Sequence, residues 1–436
     1  MASVQNIDKN TLRELFRNLD AGYQKILIAC SWLAPKEIIP LNLMMSVSGI
    51  DQQEEIQLKL NFLTSMNFLN RTGNNYMMPP KVSSLIQEIA NPLQKRELLQ
   101  AISRILHTII HPLEDPIEFE PYSKHTERVA QQGQIHKIAT AGLLFGVLGR
   151  FALQSGENEK AIKLIRRALL IVEKVSGVDS VEHTENLNSL GSALHRLGRF
   201  EDAKKCFEQA IIIDKKILGK EDTAVAIGHN NLGQVLIDMN VVDGAIIHLE
   251  KALEITTKNF GNDHPLVASG HYNLGMALLS IGDLPRARAQ LELALAKRKK
   301  NYQGNNPEIA ESHHGLGMLL HTIGNTKDAM AHYQDAIAIF ESMNKPDNLK
   351  LAASYTNLGG IYHVEGNFAE GKNYYKKALA IFESVLPATD KNIKDINLQL
   401  RLIDVGMSMP ELLDKMEAEE ELPDEIIEIL DQSFTN

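Results

Sequence analysis

The dipeptide Leu-Gly recurs every 42 residues along this 436-residue chain, as Leu148-Gly149, Leu190-Gly191, Leu232-Gly233, Leu274-Gly275, Leu316-Gly317 and Leu358-Gly359. Six pairs in one register restrict the fold to a tandem array. A unit of this size buries its apolar face only against its neighbours. Such arrays present long surfaces, which serve binding more often than catalysis.

The register holds beyond the dipeptide. Seven residues after each Gly stands Gly156, Gly198, Asn240, Gly282, Gly324 or Gly366, the residue types that tolerate the left-handed conformation ending a helix. Small residues follow at Ala161, Ala203, Ala245, Ala287, Ala329 and Gly371, and again at Ala168, Ala210, Ala252, Ala294, Ala336 and Ala378. Between the two small positions sits one large apolar residue, Ile165, Phe207, Leu249, Leu291, Tyr333 or Tyr375, which fills the space between closely approaching helices. Each unit therefore reads as two antiparallel helices. A helices are predicted near 183–197, 225–239, 267–281, 309–323 and 351–365. B helices are predicted near 158–175, 200–217, 242–259, 284–301, 326–343 and 368–385. Leu400 continues the register but Arg401 replaces the Gly, which predicts a capping helix near 391–406.

This pattern resembles the tetratricopeptide repeat. Its 42-residue period and the loops Leu218–Asp222 and Phe260–Pro265 are similar to the kinesin-light-chain subtype. The resemblance implies an all-α, right-handed superhelical solenoid of about six helix pairs over 141–386, a capping helix over 387–408 and an acidic C-terminal tail over 409–436.

The first 140 residues follow another pattern. One helix is expected over 10–34, ended by Pro35, then short helices at 41–47 and 51–66. Two apolar runs around Thr72-Gly73-Asn74-Asn75 predict a β-hairpin, and a further helix follows over 81–90. This order, with Ala34-Pro35-Lys36-Glu37-Ile38-Ile39-Pro40 and Leu60–Leu69, resembles the winged-helix and connector region of NB-ARC (STAND) signalling ATPases. It implies a winged-helix-like domain over 1–90 and a helical connector over 91–140, with helices at 92–111 and 120–137. No ATPase is expected within these 436 residues. The nearest approach to a P-loop, Gly366–Asn373, ends in Asn, follows a helix and is accounted for by the repeat register.

A helical wheel places the ligand-facing positions at −5, −2, −1, +2, +5 and +6 from each motif Leu. Of the residues so placed, the peptide-binding set is Asn188, Asn230, Asn231, Gln234, Tyr272, Asn273, Met276, His314, Met318, His321, Asn357 and His363. Asn231, Asn273 and Asn357 share the −1 position. An amide carries both a donor and an acceptor and can pair with an extended peptide backbone. Asparagines in this place are similar to the peptide-binding ones of kinesin-light-chain-type repeats, although Ser189 and Gly315 interrupt the ladder. Aliphatic anchors are expected at Ile237, Met276, Leu279 and Met318, with room for acids near Arg196. His195, His321 and His363 are expected to face the same groove. His229, His271 and His313 form a column at −3, but neighbouring helices lie about 8–10 Å apart, too far for one metal to bridge all three. They read as packing residues, so no metal, cofactor or catalytic set is expected.

Charge narrows the partners. Residues 411–436 hold ten acids and Lys415 alone as a base, while the other 410 residues are nearly balanced within a net charge of −10. Up to Arg128 there are 13 bases and 14 acids. That lacks the basic excess on which nucleic-acid affinity rests. No run of about 18 apolar residues suggests membrane insertion. Cys30 and Cys206 read as buried thiols of a reducing, cytoplasmic compartment. The sequence thus describes a non-enzymatic scaffold or sensor binding a protein or peptide. The alternative is a secreted effector of an intracellular bacterium, delivered into host cytoplasm by its glutamate-rich C-terminus. The 411–436 segment, with Leu422, Ile426, Ile427, Leu430 and Phe434, admits three roles: solubilising spacer, intramolecular plug or secretion signal.

Overall fold

The computed structural model describes residues 9–66, 68–73, 75–343 and 349–417. Among these residues there are 21 helices and one two-stranded sheet, so the chain is all-α in character. It divides into two compact units, Met1–Val235 and Leu236–Asn436.

The first unit opens with α1 (Lys9–Asn18) and α2 (Ala21–Trp32). The single helix expected over 10–34 is broken because the Asp20 carboxylate accepts hydrogen bonds from the backbone N–H groups of Gly22 (2.9 Å) and Tyr23 (3.1 Å), starting a new helix. Then come α3 (Leu41–Ser48), α4 (Gln53–Ser65), the hairpin β1 (Asn70–Thr72) and β2 (Asn75–Met77), and α5 (Pro80–Ile89). The strands are antiparallel with Asn70 opposite Met77 and Thr72 opposite Asn75. An isolated bridge between Ile39 and Tyr76 adds to them. The expected order of helices, hairpin and helix is therefore present. Leu27, Leu43, Ile56, Leu60, Leu63 and Phe68 are fully buried within it. Trp32 donates from Nε1 to the Lys95 carbonyl at 3.1 Å, fastening this region to α6 (Pro92–Ile110).

After α7 (Pro116–Ile135) the helix pairs begin, with α8 (Ala141–Gln154), α9 (Asn158–Val175), α10 (Val181–Arg196) and α11 (Phe200–Ile217); α12 (Thr223–Asp238) runs across the boundary between the two units. The second unit continues with α13 (Val242–Phe260), α14 (Pro265–Ser280), α15 (Leu284–Asn301), α16 (Pro307–Thr322), α17 (Thr326–Ser342), α18 (Leu349–Val364), α19 (Phe368–Val385), α20 (Lys391–Asp404) and α21 (Met409–Glu417). Within each unit B helices pack on their own A helix and on the next one, as α9 does on α8 and α10, and α15 on α14 and α16.

The Leu-Gly comb has a steric cause. A Cβ on Gly191 would lie 2.7 Å from a ring carbon of Phe207, and one on Gly317 would lie 2.7 Å from a ring carbon of Tyr333. Glycine is the residue that lets the large B-helix side chain seat against the A-helix backbone. The turn position was also read correctly: Asn240 has φ of 60°, in register with left-handed glycines such as Gly282 and Gly324. Asn306 begins α16 by accepting from the N–H of Glu308 at 2.8 Å, with Pro307 at the first helical position, where its missing N–H costs nothing.

Two features lay outside the sequence expectation. The segment read as an acidic tail begins as helix α21, whose Leu412 packs on Leu402 and Met407. Its start is a reciprocal cap: the Glu411 carboxylate accepts from the Ser408 N–H at 2.6 Å, while Ser408 Oγ accepts from the Glu411 N–H at 3.4 Å. The apolar run from Leu422 to Phe434 lies outside the described residues. Cys30 is buried as expected, but Cys206 is only half-buried. Burial pushes their thiols up to about 12 and about 11 respectively, which keeps both protonated and unreactive. Among the described residues no helix is long and apolar enough to cross a membrane.

Candidate functional site

The two units each present part of the predicted face. In the first unit, α6, α8, α10, the end of α11 and the start of α12 line a cleft of ≈ 450 Å³. His107, His111, Arg150, Glu185, Asn188 and Asp214 are among its walls. Gly146 makes room for Asn186, whose Oδ1 would lie 2.7 Å from a Cβ there. Asn186 donates to the Glu182 carbonyl at 2.6 Å and is thereby held in place.

Several polar atoms in these walls, both Asp214 carboxylate oxygens among them, are buried with no hydrogen-bond partner among the described residues. Asn188 Oδ1 and Arg150 Nε are both buried without one, although Arg150 also donates to the His111 carbonyl at 2.8 Å. Burying an acceptor or donor unpaired costs about 1–3 kcal/mol. Burial pushes the Glu185 carboxyl up, against the opposing pull of His111 and Arg150. Burial likewise raises the carboxyl of Asp214 and lowers His107, aided by neighbouring His111. Asn230, Asn231 and Gln234 are half-buried on α12, with Asn230 Nδ2 at 3.5 Å from Asn231 Oδ1. Arg196 is exposed and donates to the Leu153 carbonyl at 2.7 Å.

In the second unit Tyr272, Asn273 and Met276 lie half-buried on α14, and His314 and Met318 half-buried on α16. Gly315, which interrupts the asparagine ladder, has a packing reason: a Cβ there would lie 3.1 Å from Tyr272 and 3.2 Å from the Met276 sulfur. His314 Nδ1 is 2.9 Å from Ser354 Oγ, so it links α16 to α18. Burial holds its imidazole down to about 4. Asn357 hydrogen-bonds to Tyr333. His321 is exposed.

His363 corrects the sequence reading. It is 1% exposed, with Nδ1 3.1 Å from Gln399 Oε1 and Nε2 2.8 Å from the Met407 carbonyl. The wheel placed it on the open face, but α20 and the turn after it cover that position. The histidine column behaves as packing: His229 and His313 are buried, and His271 Nδ1 lies 2.6 Å from Gln290 Oε1. Lys372, the lysine of the apparent P-loop, is ion-paired with Asp404.

Sequence reasoning missed the two charged residues that anchor these faces. Arg298 on α15 is 2% exposed. It donates to the Glu308 carbonyl at 2.6 Å and to Ser312 Oγ at 2.9 Å. Its Nε lies 3.3 Å from a Glu308 carboxylate oxygen, and its guanidinium sits 4.7 Å from the centre of the Tyr272 ring. Asp214 on α11 is 0% exposed. Both occupy one repeat position, held elsewhere by Val172, Thr256, Phe340 and Phe382. A charge in an otherwise apolar register is the signal that would have found them.

The profile of the tetratricopeptide repeat matches residues 140–216, 222–300 and 282–342, and a second profile of the same repeat matches 351–390. Comparison with curated proteins gave no match. Among solved structures, the chain is similar to a signal-transduction ATPase with numerous domains (STAND) carrying a tetratricopeptide repeat sensor, from Pyrococcus horikoshii. That likeness has a TM-score of 0.55 at 16% identity and covers 99% of this chain and 67% of the other. Aspartyl phosphate phosphatase F from Bacillus subtilis is similar at a TM-score of 0.53 and 13% identity, over 81% of this chain and 83% of its own. The nearly identical kinesin-light-chain TPR-like repeats of Podosopora anserina align at 0.38 and 19%, over 53% of this chain and 100% of theirs. The matched repeats occupy more than half of the sequence, and with the helix pairs seen here they establish that the chain belongs to the tetratricopeptide-repeat family.

Proposed function

We propose that this chain is a non-enzymatic scaffold or sensor that binds a protein segment along the faces of its A helices. The observation that carries the reading is the cleft of the first unit, where Asn188 Oδ1 is buried, lines an open cavity and has no partner among the described residues. A ligand N–H placed there recovers the free energy lost by leaving that acceptor unpaired. Glu182, Glu185 and Asp214 line the same cleft against Arg150 alone among the ordinarily charged bases, which favours a ligand segment bearing a basic side chain. Asn231 on α12 extends the reading within the first unit as a backbone-pairing amide. Asn273 and Asn357, in the second unit, already have partners within the chain and carry no part of this reading. The N-terminal helices and hairpin serve in this reading as a winged-helix-like docking module.

The test is selection of peptides from a displayed library on the full chain, followed by calorimetric titration of a selected peptide. Asn188→Ala is expected to weaken binding about ten-fold, equivalent to about 1.4 kcal/mol. Asn231→Ala is expected to weaken it less. Unchanged affinity in both variants sinks the proposal and moves binding to another face.

A further inference from the structure

Three successive repeats set the side chain three residues before the motif Leu against one on the following B helix. In the fourth unit these are His271 and Gln290, joined Nδ1 to Oε1 at 2.6 Å. In the sixth they are Tyr355 and Tyr374, with ring centroids 5.9 Å apart and Lys377 lying over both rings. In the fifth they are His313 and His332, whose Nδ1 atoms are 3.0 Å apart. Asp335, at i+3 from His332 on α17, places Oδ2 3.3 Å from His313 Nδ1. The same register position is Leu293 in the fourth unit and Lys377 in the sixth. The fifth unit alone of these three combines two imidazoles with a carboxylate.

We propose that His313, His332 and Asp335 form a binding site for one divalent transition-metal ion of the zinc class. One ligand atom from each residue lies within 4.8 Å of the other two. Metal–ligand bonds of about 2.0–2.1 Å at tetrahedral angles separate neighbouring donors by about 3.3 Å. The two separations above are close to that value before any ion binds. Two imidazole nitrogens and one carboxylate oxygen suit zinc and its neighbours, whereas calcium and magnesium take oxygen ligands. The set is also pre-organised. His313 is 4% exposed on α16, and His332 and Asp335 share one face of α17 because residues three apart on a helix are neighbours. His332 borders a cleft of ≈ 460 Å³ that also includes Glu292 and Asp328, where water completes the coordination. Lys299 shares that cleft and is exposed, so its ammonium can move into solvent when the ion enters. Bound metal would clamp α16 to α17, and its open position would accept a carboxylate or imidazole from a partner.

The experiment titrates zinc chloride into chelator-stripped full chain by calorimetry, with cobalt(II) as a spectroscopic probe of the ligand set. One equivalent is expected to bind, and cobalt is expected to give visible bands of a four- or five-coordinate site. His332→Gln copies the bonded pair of the fourth unit, so it keeps the packing while removing a ligand. It is expected to weaken zinc more than about ten-fold and abolish the cobalt bands, with its melting temperature in chelator unchanged. Asp335→Asn, at a side chain 63% exposed, supplies a second ligand variant if the first fails to fold. His136→Gln, at an exposed histidine of the first unit, is expected to leave zinc binding unchanged. Absence of zinc binding, or equal affinity in wild type and both ligand variants, overturns the site and leaves an N–H···N hydrogen bond between the two imidazoles.

Discussion

The glycine of the Leu-Gly motif can be tested by adding one methyl group. In Gly317→Ala the new Cβ would meet ring carbons of Tyr333 at 2.7, 2.8 and 3.0 Å, where carbon atoms normally sit about 3.5–4.0 Å apart. Tyr333 is 1% exposed, so the ring has no free space into which to retreat. Forcing a methylene-sized group into a packed core costs about 1–3 kcal/mol. Replacing glycine by alanine inside a helix returns about 1 kcal/mol. The net expectation is a loss of up to about 2 kcal/mol. Gly360→Ala is the control in the same unit. Its Cβ would meet only the Tyr375 hydroxyl at 3.5 Å, an ordinary contact, so the helix-propensity gain survives and the variant is expected to be more stable by about 0.5–1 kcal/mol. Urea denaturation followed by circular dichroism compares the two. The midpoint should fall for Gly317→Ala and rise for Gly360→Ala. A Gly317→Ala midpoint raised as far as that of Gly360→Ala would refute the claim that close helix approach, rather than chain flexibility, fixes this glycine.

Two further outcomes follow from buried polar groups. His125 accepts from the Ala34 N–H at Nδ1 (3.0 Å) and faces the Ile38 carbonyl with Nε2 (2.8 Å), and burial lowers its pKa. The unfolded chain therefore binds the extra proton first, so stability present above the ordinary histidine range of about 6.5 falls as pH drops through it. His125→Ala should lose about 2–3 kcal/mol for two hydrogen bonds and flatten that slope in denaturation curves taken between neutral and mildly acidic pH. Arg298→Ala leaves the Glu308 carboxylate without its guanidinium and should cost about 3–5 kcal/mol. A loss below about 1 kcal/mol in thermal melts would show that the buried cluster contributes little.

The register of small and large residues specified the helix pairs closely because it is a local and repeated constraint. The B helices expected at 158–175, 200–217, 284–301 and 368–385 have those bounds in the structure. Where the pattern is not repeated, the sequence was read less well. The helix break at Asp20 and the cap joining Ser408 to Glu411 each depend on one side chain meeting one or two backbone amides, and neither leaves a periodic trace. The helical wheel assigned faces from angle alone. It placed Asn188 at a cleft, but it left His363 open because the helix covering it comes some 30 residues later in the chain.

The sequence by itself determined that residues 141–386 are a stack of helix pairs, where the repeat helices end to within a residue or two, and which residues must be small. Those follow from backbone sterics and from a period that six units express together. Only the tertiary structure decided which polar groups are satisfied. It joined Asn357 to Tyr333, buried Arg298 beside Tyr272 and left Asn188 Oδ1 unpaired. It also set His313 against His332 within one helix pair, instead of along the column that the 42-residue spacing suggested. Hydrogen-bond satisfaction depends on distances between elements far apart in sequence, and a one-dimensional period carries no such distances.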